Sequence, residues 1–155
     1  MEHPESTARI AGHPIHPLLI PFPIVFFVST LACDLAYWWT GNTGWATAAI
    51  WLLGAGIVMS VFAALTGVMD FAGDRRVRDL SDSWQHAIGN VIVVLLAIVS
   101  WYWRYVNDPA AALPVGLTLS IVMALLLLFT GWKGGELVYR HHVAVQDDDV
   151  TSSLR

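Results

Sequence analysis

The chain contains the stretch GHPIHPLLIPFPIVFFVSTLACDLAYWW, residues 12–39, in which a segment rich in histidine and proline leads directly into an apolar run. The run from Leu18 to Trp39 is long enough to cross a bilayer, whose hydrocarbon core requires about 20 helical residues. Pro21 and Pro23 fall in its first turns, where helix amides lack partners and proline costs little. The stretch therefore predicts a transmembrane helix that is entered from a polar segment on one side of the membrane.

Three further apolar runs follow, separated by short polar segments. Hydrophobic residues make up 56% of the 155 residues and charged residues only 13%, which excludes an ordinary soluble domain. The sequence predicts an all-α fold, an integral membrane four-helix bundle in contact with the lipid bilayer. We expect its spans at about residues 18–39, 45–71, 84–106 and 113–138.

The spans belong to one predicted transmembrane domain, residues 13–145. Residues 1–12 are expected to form a polar N-terminal segment, and residues 146–155 an acidic disordered tail that includes Asp147, Asp148 and Asp149. Stripes of small residues are predicted to let the second and fourth spans pack closely against their neighbours. These stripes are Gly56, Ser60 and Ala64, with Ala63 and Gly67 alongside, and Gly116, Ser120 and Ala124.

Threading four spans through a membrane places both termini on the same side. Seven of the eight Lys and Arg residues fall on that side, and only Arg104 falls on the other. The seven are Arg9, Arg75, Arg76, Arg78, Lys133, Arg140 and Arg155. By the positive-inside rule, both termini are predicted to be cytoplasmic. Since the basic residues form no stripe, no nucleic-acid partner is expected.

Two charged residues lie near the opposite side of the predicted bundle. Asp34 follows His16 by 18 residues, and Arg104 follows His86 by 18 residues. At about 1.5 Å per helical residue, both charges lie about 27 Å from the histidine side. Charged groups inside a membrane usually pair, so Asp34 and Arg104 are predicted to form an ion pair.

Local sequence also predicts the backbone around the histidines. A residue that precedes proline is disfavoured in the α region, so His13-Pro14-Ile15-His16-Pro17 is expected to be polyproline-like, with the two rings about 9 Å apart. Asp82 followed by Gln85 is typical of a capping box. Such a box would open the third span and place His86 in its first turn, where the helix dipole favours a neutral imidazole.

Four parts of the chain resemble one family: the opening GHPIHPLLIPFP, Gly67-Val68-Met69-Asp70, His86 on the third span, and Gly134-Gly135-Glu136-Leu137-Val138-Tyr139. They are similar to the four-span bacterial membrane-protein family catalogued as domain of unknown function 2231, over about Gly12 to Val145. Family relatives are joined to Rieske-type iron-sulfur domains. The resemblance therefore implies a redox setting in the bacterial inner membrane, with a Rieske-type protein as a possible partner. Glycine commonly follows the family histidine matched by His141, so His142 departs from the pattern.

The residues expected at the cytoplasmic ends of the spans support three interpretations. In the first, His86 and a second histidine ligate haem b from opposite faces, in a redox protein that passes electrons to or from a partner. The second ligand is expected to be His16, His13 or His141, in that order of preference. In the second, a zinc or iron ion is held in a metal-site protein or a membrane metalloenzyme. Its candidate ligands are His13, His16, Asp70, His86, Glu136 and His141.

In the third interpretation, the protein is a structural or assembly subunit without a cofactor, and Asp70 pairs with Arg75 or Arg76 at the membrane surface. Haem is favoured, because the redox associations of the family support it. The chain has no His-x-x-x-His or His-Glu-x-x-His motif, which would indicate a metallohydrolase. Whether the protein forms a homo-oligomer stays open.

Overall fold

The computed structural model describes residues 6–108 and 112–145 of the chain, and these are almost entirely helical. In chain order the elements are β1 (Arg9–Ile10), β2 (His13–Pro14), α1 (Ile15–Leu19), α2 (Pro21–Thr40), α3 (Thr43–Gly73), α4 (Arg75–Arg78), α5 (Ser81–Val106) and α6 (Val115–Tyr139). Helices α1 and α2 are continuous enough to count as one span, so four segments are long and apolar enough to cross a membrane. The predicted all-α membrane bundle is confirmed.

The four spans pack as a ring. Helix α2 packs against α3 and α6, and α5 packs against the same two helices, so α2 and α5 lie diagonally across the bundle. A small core fills the centre with Phe27, Leu53, Val93, Ala97 and Met123. Large apolar side chains cover the outside, for example Trp51 at 77% exposure and Leu128 at 73%. This outer surface is the one that contacts lipid.

The two halves of the bundle repeat each other. Positions that point inward from the first span have equivalents 70 residues later in the third span: His16 and His86, Pro23 and Val93, Phe27 and Ala97, Thr30 and Ser100, Asp34 and Arg104. Inward positions of α3 have equivalents 67 residues later in α6: Ala49 and Gly116, Leu53 and Ser120, Gly56 and Met123, Ala63 and Thr130, Gly67 and Gly134. The chain therefore contains two similar helix pairs, α2 with α3 and α5 with α6.

Small residues allow the helices of each pair to approach closely, as predicted. A Cβ atom at Gly56 would lie 2.5 Å from Cε1 of Phe27 on α2. Ser60 and Ala63 continue this buried stripe, whereas Ala64 is exposed. The inward stripe of α3 thus runs through Ala63 and not through Ala64.

The polyproline-like form predicted for residues 13–17 is wrong. His13 and Pro14 pair with Arg9 and Ile10 as an antiparallel hairpin, and His16 is already helical as the second residue of α1. The backbone N–H of Ile15 donates to the carbonyl of Ala8 at 2.9 Å, which starts the helix earlier than the sequence predicts. Proline is tolerated at position 17 because amides in a first helical turn have no helical partner.

Helix boundaries differ from the sequence predictions by a few residues. Helix α3 begins at Thr43, because the side chain of Asn42 caps it by accepting from the N–H of Gly44 at 2.9 Å. Helix α5 begins at Ser81, three residues before the predicted start. The predicted acidic tail, residues 146–155, lies outside the described residues, as do residues 1–5.

Candidate functional site

His16 and His86 meet at one end of the bundle. Their ring centroids are 6.4 Å apart and the ring planes are nearly perpendicular, at 89°. His16 comes from α1 and His86 from α5, so each ring enters from one of the two diagonal spans. Both side chains are half-buried. We call these two residues the histidine pair, and this end of the bundle the histidine end.

A backbone carbonyl fixes each ring of the histidine pair. Nδ1 of His16 lies 2.8 Å from the carbonyl oxygen of Ala63 on α3, and Nδ1 of His86 lies 2.8 Å from that of Thr130 on α6. A carbonyl only accepts, so Nδ1 must carry the proton in both rings. In the described part of the chain, neither Nε2 atom makes a hydrogen bond. Both Nε2 atoms therefore remain available as acceptors or ligands.

Two glycines make room for the rings. Gly67 lies four residues beyond Ala63, and a Cβ atom there would come within 2.7 Å of Cε1 of His16. Gly134 lies four residues beyond Thr130, and its Cβ atom would come within 3.0 Å of Cε1 of His86. Each ring thus lies over a helix surface without a side chain, at equivalent positions in the two halves.

The other predicted ligands also lie at the histidine end, but they have separate partners. His13 is exposed, with Nδ1 at 3.0 Å from the carbonyl of Ala11. Nε2 of His141 lies 3.0 Å from a carboxylate oxygen of Asp82. Glu136 accepts from Lys133 at 2.9 Å. Over residues 6–108 and 112–145, no three His, Cys, Asp or Glu side chains are placed to hold one metal ion.

Asp70 binds the N-terminal segment. One carboxylate oxygen, Oδ1, accepts from the hydroxyl of Ser6 at 2.8 Å and from the backbone N–H groups of Thr7 at 2.8 Å and Ala8 at 2.9 Å. The suggested pairing of Asp70 with Arg75 or Arg76 is wrong. Arg76 instead contacts Asp74, at 2.8 Å.

Asp82 does not form the predicted capping box. The N-cap of α5 is Leu80, without a side-chain cap, and Asp82 is the second residue of the helix. Its carboxylate accepts instead from Lys133 at 3.0 Å and contacts His141, so it ties α5 to the end of α6. His86 is the sixth residue of α5 and not part of its first turn.

Asp34 and Arg104 lie in contact at the opposite end of the bundle. Two parallel hydrogen bonds join them, from Nη1 to Oδ1 at 2.6 Å and from Nη2 to Oδ2 at 2.7 Å. Ser120 donates to Asp34 at 2.6 Å, and Ser100 accepts from Nε of Arg104 at 3.2 Å. Both charged side chains are almost completely buried, at 1% and 0% exposure. The sequence expectation of a pair near this end matches the geometry.

A family model for a predicted membrane protein, domain of unknown function 2231, matches residues 12–147. The chain belongs to this family. No curated protein and no solved structure matches the chain. The part that matches the domain of unknown function 2231 includes the histidine pair, both glycines beneath it and the Asp34–Arg104 pair.

Sequence reasoning missed the groups that orient the histidine pair. The carbonyls of Ala63 and Thr130 have no sequence signal, because every residue carries a carbonyl. Gly67 and Gly134 had a signal, since both lie within the stretches that carried the family resemblance. Asp82 was predicted to cap α5, and Lys133 was visible only as a charge near a helix end.

Proposed function

We propose that this protein is a membrane redox protein that binds haem b between His16 and His86. The observation that carries the proposal is the 6.4 Å separation of the two ring centroids. Two imidazoles at this separation, one from each of two diagonal spans, would both be able to ligate one haem iron. His16 and His86 would hold the haem between them.

The hydrogen bonds of the histidine pair support the same assignment. Histidines that ligate a metal usually donate their other ring N–H to a carbonyl or carboxylate, which fixes the ring and its tautomer. Ala63 and Thr130 provide such carbonyls. In this proposal, Nε2 of each histidine is the ligand atom, and the absence of side chains at Gly67 and Gly134 leaves the space that the two rings occupy.

Haem held by two histidines supplies one-electron transfer between its ferric and ferrous forms. Electrons would pass to or from a partner, for which a Rieske-type iron-sulfur protein is our candidate. A site for a single divalent ion has less support, because such sites use at least three protein ligands and the described residues offer two at this position.

We further propose that the protein resides in the bacterial inner membrane with its histidine end in the cytoplasm. The support is the charge distribution. Six cations of the described chain lie at the histidine end: Arg9, Arg75, Arg76, Arg78, Lys133 and Arg140. Arg104, at the opposite end, is buried in its ion pair and does not belong to a loop.

Four single variants, purified after haem-replete expression, test the choice of ligands. His16→Ala and His86→Ala should each remove haem or leave it with one histidine ligand, which shifts the visible spectrum from low spin to high spin. His13→Ala and His141→Ala are the matched controls and should keep the wild-type spectrum. An unchanged spectrum in His16→Ala or His86→Ala, or loss of haem in a control, would contradict the assignment.

A further inference from the structure

The N-terminal segment, residues 6–14, is hydrogen-bonded to one carboxylate near the end of α3. Three donors of this segment converge on Oδ1 of Asp70 within 2.9 Å: the hydroxyl of Ser6 and the N–H groups of Thr7 and Ala8. Hydrogen bonds to an ionised acceptor are about twice as strong as those between neutral groups. Ser6 and Ala8 are buried in this arrangement, at 5% and 3% exposure.

The attachment continues directly to the histidine pair. The carbonyl of Ala8, whose own N–H binds Asp70, accepts from the N–H of Ile15 at 2.9 Å. Ile15 is the first residue of α1 and His16 is the second. One hydrogen bond therefore joins Asp70 to Ala8, a second joins Ala8 to Ile15, and a peptide bond joins Ile15 to His16.

A second contact, between Thr7 and Gly73, also holds this segment against the end of α3. The side chain of Thr7 lies directly over Gly73, the last residue of α3, so that a Cβ atom at Gly73 would collide with the threonine hydroxyl. This contact is independent of the Asp70 charge. A larger residue at position 73 would lift the segment while leaving the carboxylate in place.

We propose that Asp70 is a positioning residue, which holds His16 in the histidine pair by binding residues 6–8 to the end of α3. His86 needs no such attachment, because it lies well inside the long helix α5. His16 is the second residue of its span, so its backbone depends on the contacts of the segment that precedes it. The haem measurement below rests on the proposed function, whereas the exchange and NMR measurements do not.

The first test measures attachment of the segment by amide hydrogen exchange in the full-length protein in nanodiscs. Asp70→Ala should raise the exchange rate of peptides that cover residues 7–14 by about tenfold. Asp70→Asn keeps an oxygen at the Oδ1 position and should restore part of the protection. Asp79→Ala removes an exposed carboxylate from the loop before α5 and should change nothing. Unchanged exchange in Asp70→Ala would overturn the proposal.

The second test measures the position of His16. If the wild-type protein contains haem, Asp70→Ala and Gly73→Val should keep haem on His86 but lose the second axial ligand, so that most of the ferrous haem binds carbon monoxide. The ferrous haem of the Asp79→Ala variant should not bind carbon monoxide. Gly73→Val carries the test if Asp70→Ala fails to fold. A six-coordinate spectrum that persists in these variants despite faster exchange would refute positioning by Asp70.

If the wild-type protein is colourless, the proposed function fails, but the positioning role can still be decided. Nitrogen-15 NMR of labelled histidine, with His16 assigned from His16→Gln, then reports whether Nδ1 carries the proton. Loss of this tautomer preference in Asp70→Ala, with retention in Asp79→Ala, would support the role. Retention in both would overturn it.

Discussion

Arg104 is a buried charged residue with several hydrogen-bond partners inside the bundle. Its guanidinium donates to Asp34 through two nitrogens, and to Ser100 and Ser120. Gly116 leaves space for it, since a Cβ atom there would come within 2.6 Å of Nη2. Burying a charge is unfavourable unless its partners are complete, so the loss of one member leaves the other uncompensated.

We predict that Asp34→Ala and Arg104→Ala each destabilise the protein by about 3–5 kcal/mol, and that the double variant loses far less than the sum. The measurement is the free energy of unfolding in mixed detergent micelles with increasing denaturing detergent. Asp79→Ala, an exposed carboxylate, is the control and should change this free energy little. Additive effects of the two substitutions would mean that the pair is not a coupled unit.

At the scale of elements, the close approach of helices at glycine decides where the histidine rings lie. Helix α1 brings His16 over Gly67 of α3, and α5 brings His86 against Gly134 of α6. By contrast, a Cβ atom at Gly131 would meet nothing within 4 Å. The three glycines thus provide two test positions and a matched control on the same pair of helices.

We predict that Gly67→Ala and Gly134→Ala lower the haem content of the purified protein, and that Gly131→Ala leaves it unchanged. Gly67→Ala should have the larger effect, because its Cβ atom would come closer to the ring, at 2.7 Å compared with 3.0 Å for Gly134. The pyridine haemochrome assay, normalised to protein, measures the content. Equal haem content in all three variants would show that ring placement does not depend on these contacts.

The number and type of elements could be predicted from sequence because a run of about 20 apolar residues has few structural alternatives in a membrane. Helix ends were less predictable, because they depend on tertiary partners. Asp82 carries the local signature of a cap, yet Lys133 and His141 bring its carboxylate to α6 instead. His16 was expected to be extended, but the bond from Ile15 to Ala8 makes it helical.

At the scale of the whole molecule, the two repeated helix pairs explain why the site lies on the central axis of the bundle. Equivalent positions of diagonal spans meet in the middle, as histidine with histidine at one end and as Asp34 with Arg104 at the other. Most equivalent positions carry different residues, so the repeat is invisible as sequence similarity. Only their shared burial reveals it.

We predict that both termini face the cytoplasm, because the cations of the loops and ends concentrate at the histidine end. A fluorescent protein fused to either terminus should be fluorescent, and alkaline phosphatase fused at the same positions should be inactive. Alkaline phosphatase inserted after Gly41, in the loop between α2 and α3, is the control and should be active. An active phosphatase at the C-terminus would reverse the orientation.

The most direct test of the central claim is the absorption spectrum of the wild-type protein, purified in detergent after haem-replete expression and accompanied by metal analysis. We predict an intense Soret band with sharp low-spin bands on reduction, about one iron per chain, and no carbon monoxide binding, as two histidine ligands require. A colourless protein, or haem that binds carbon monoxide readily, would contradict ligation by the histidine pair.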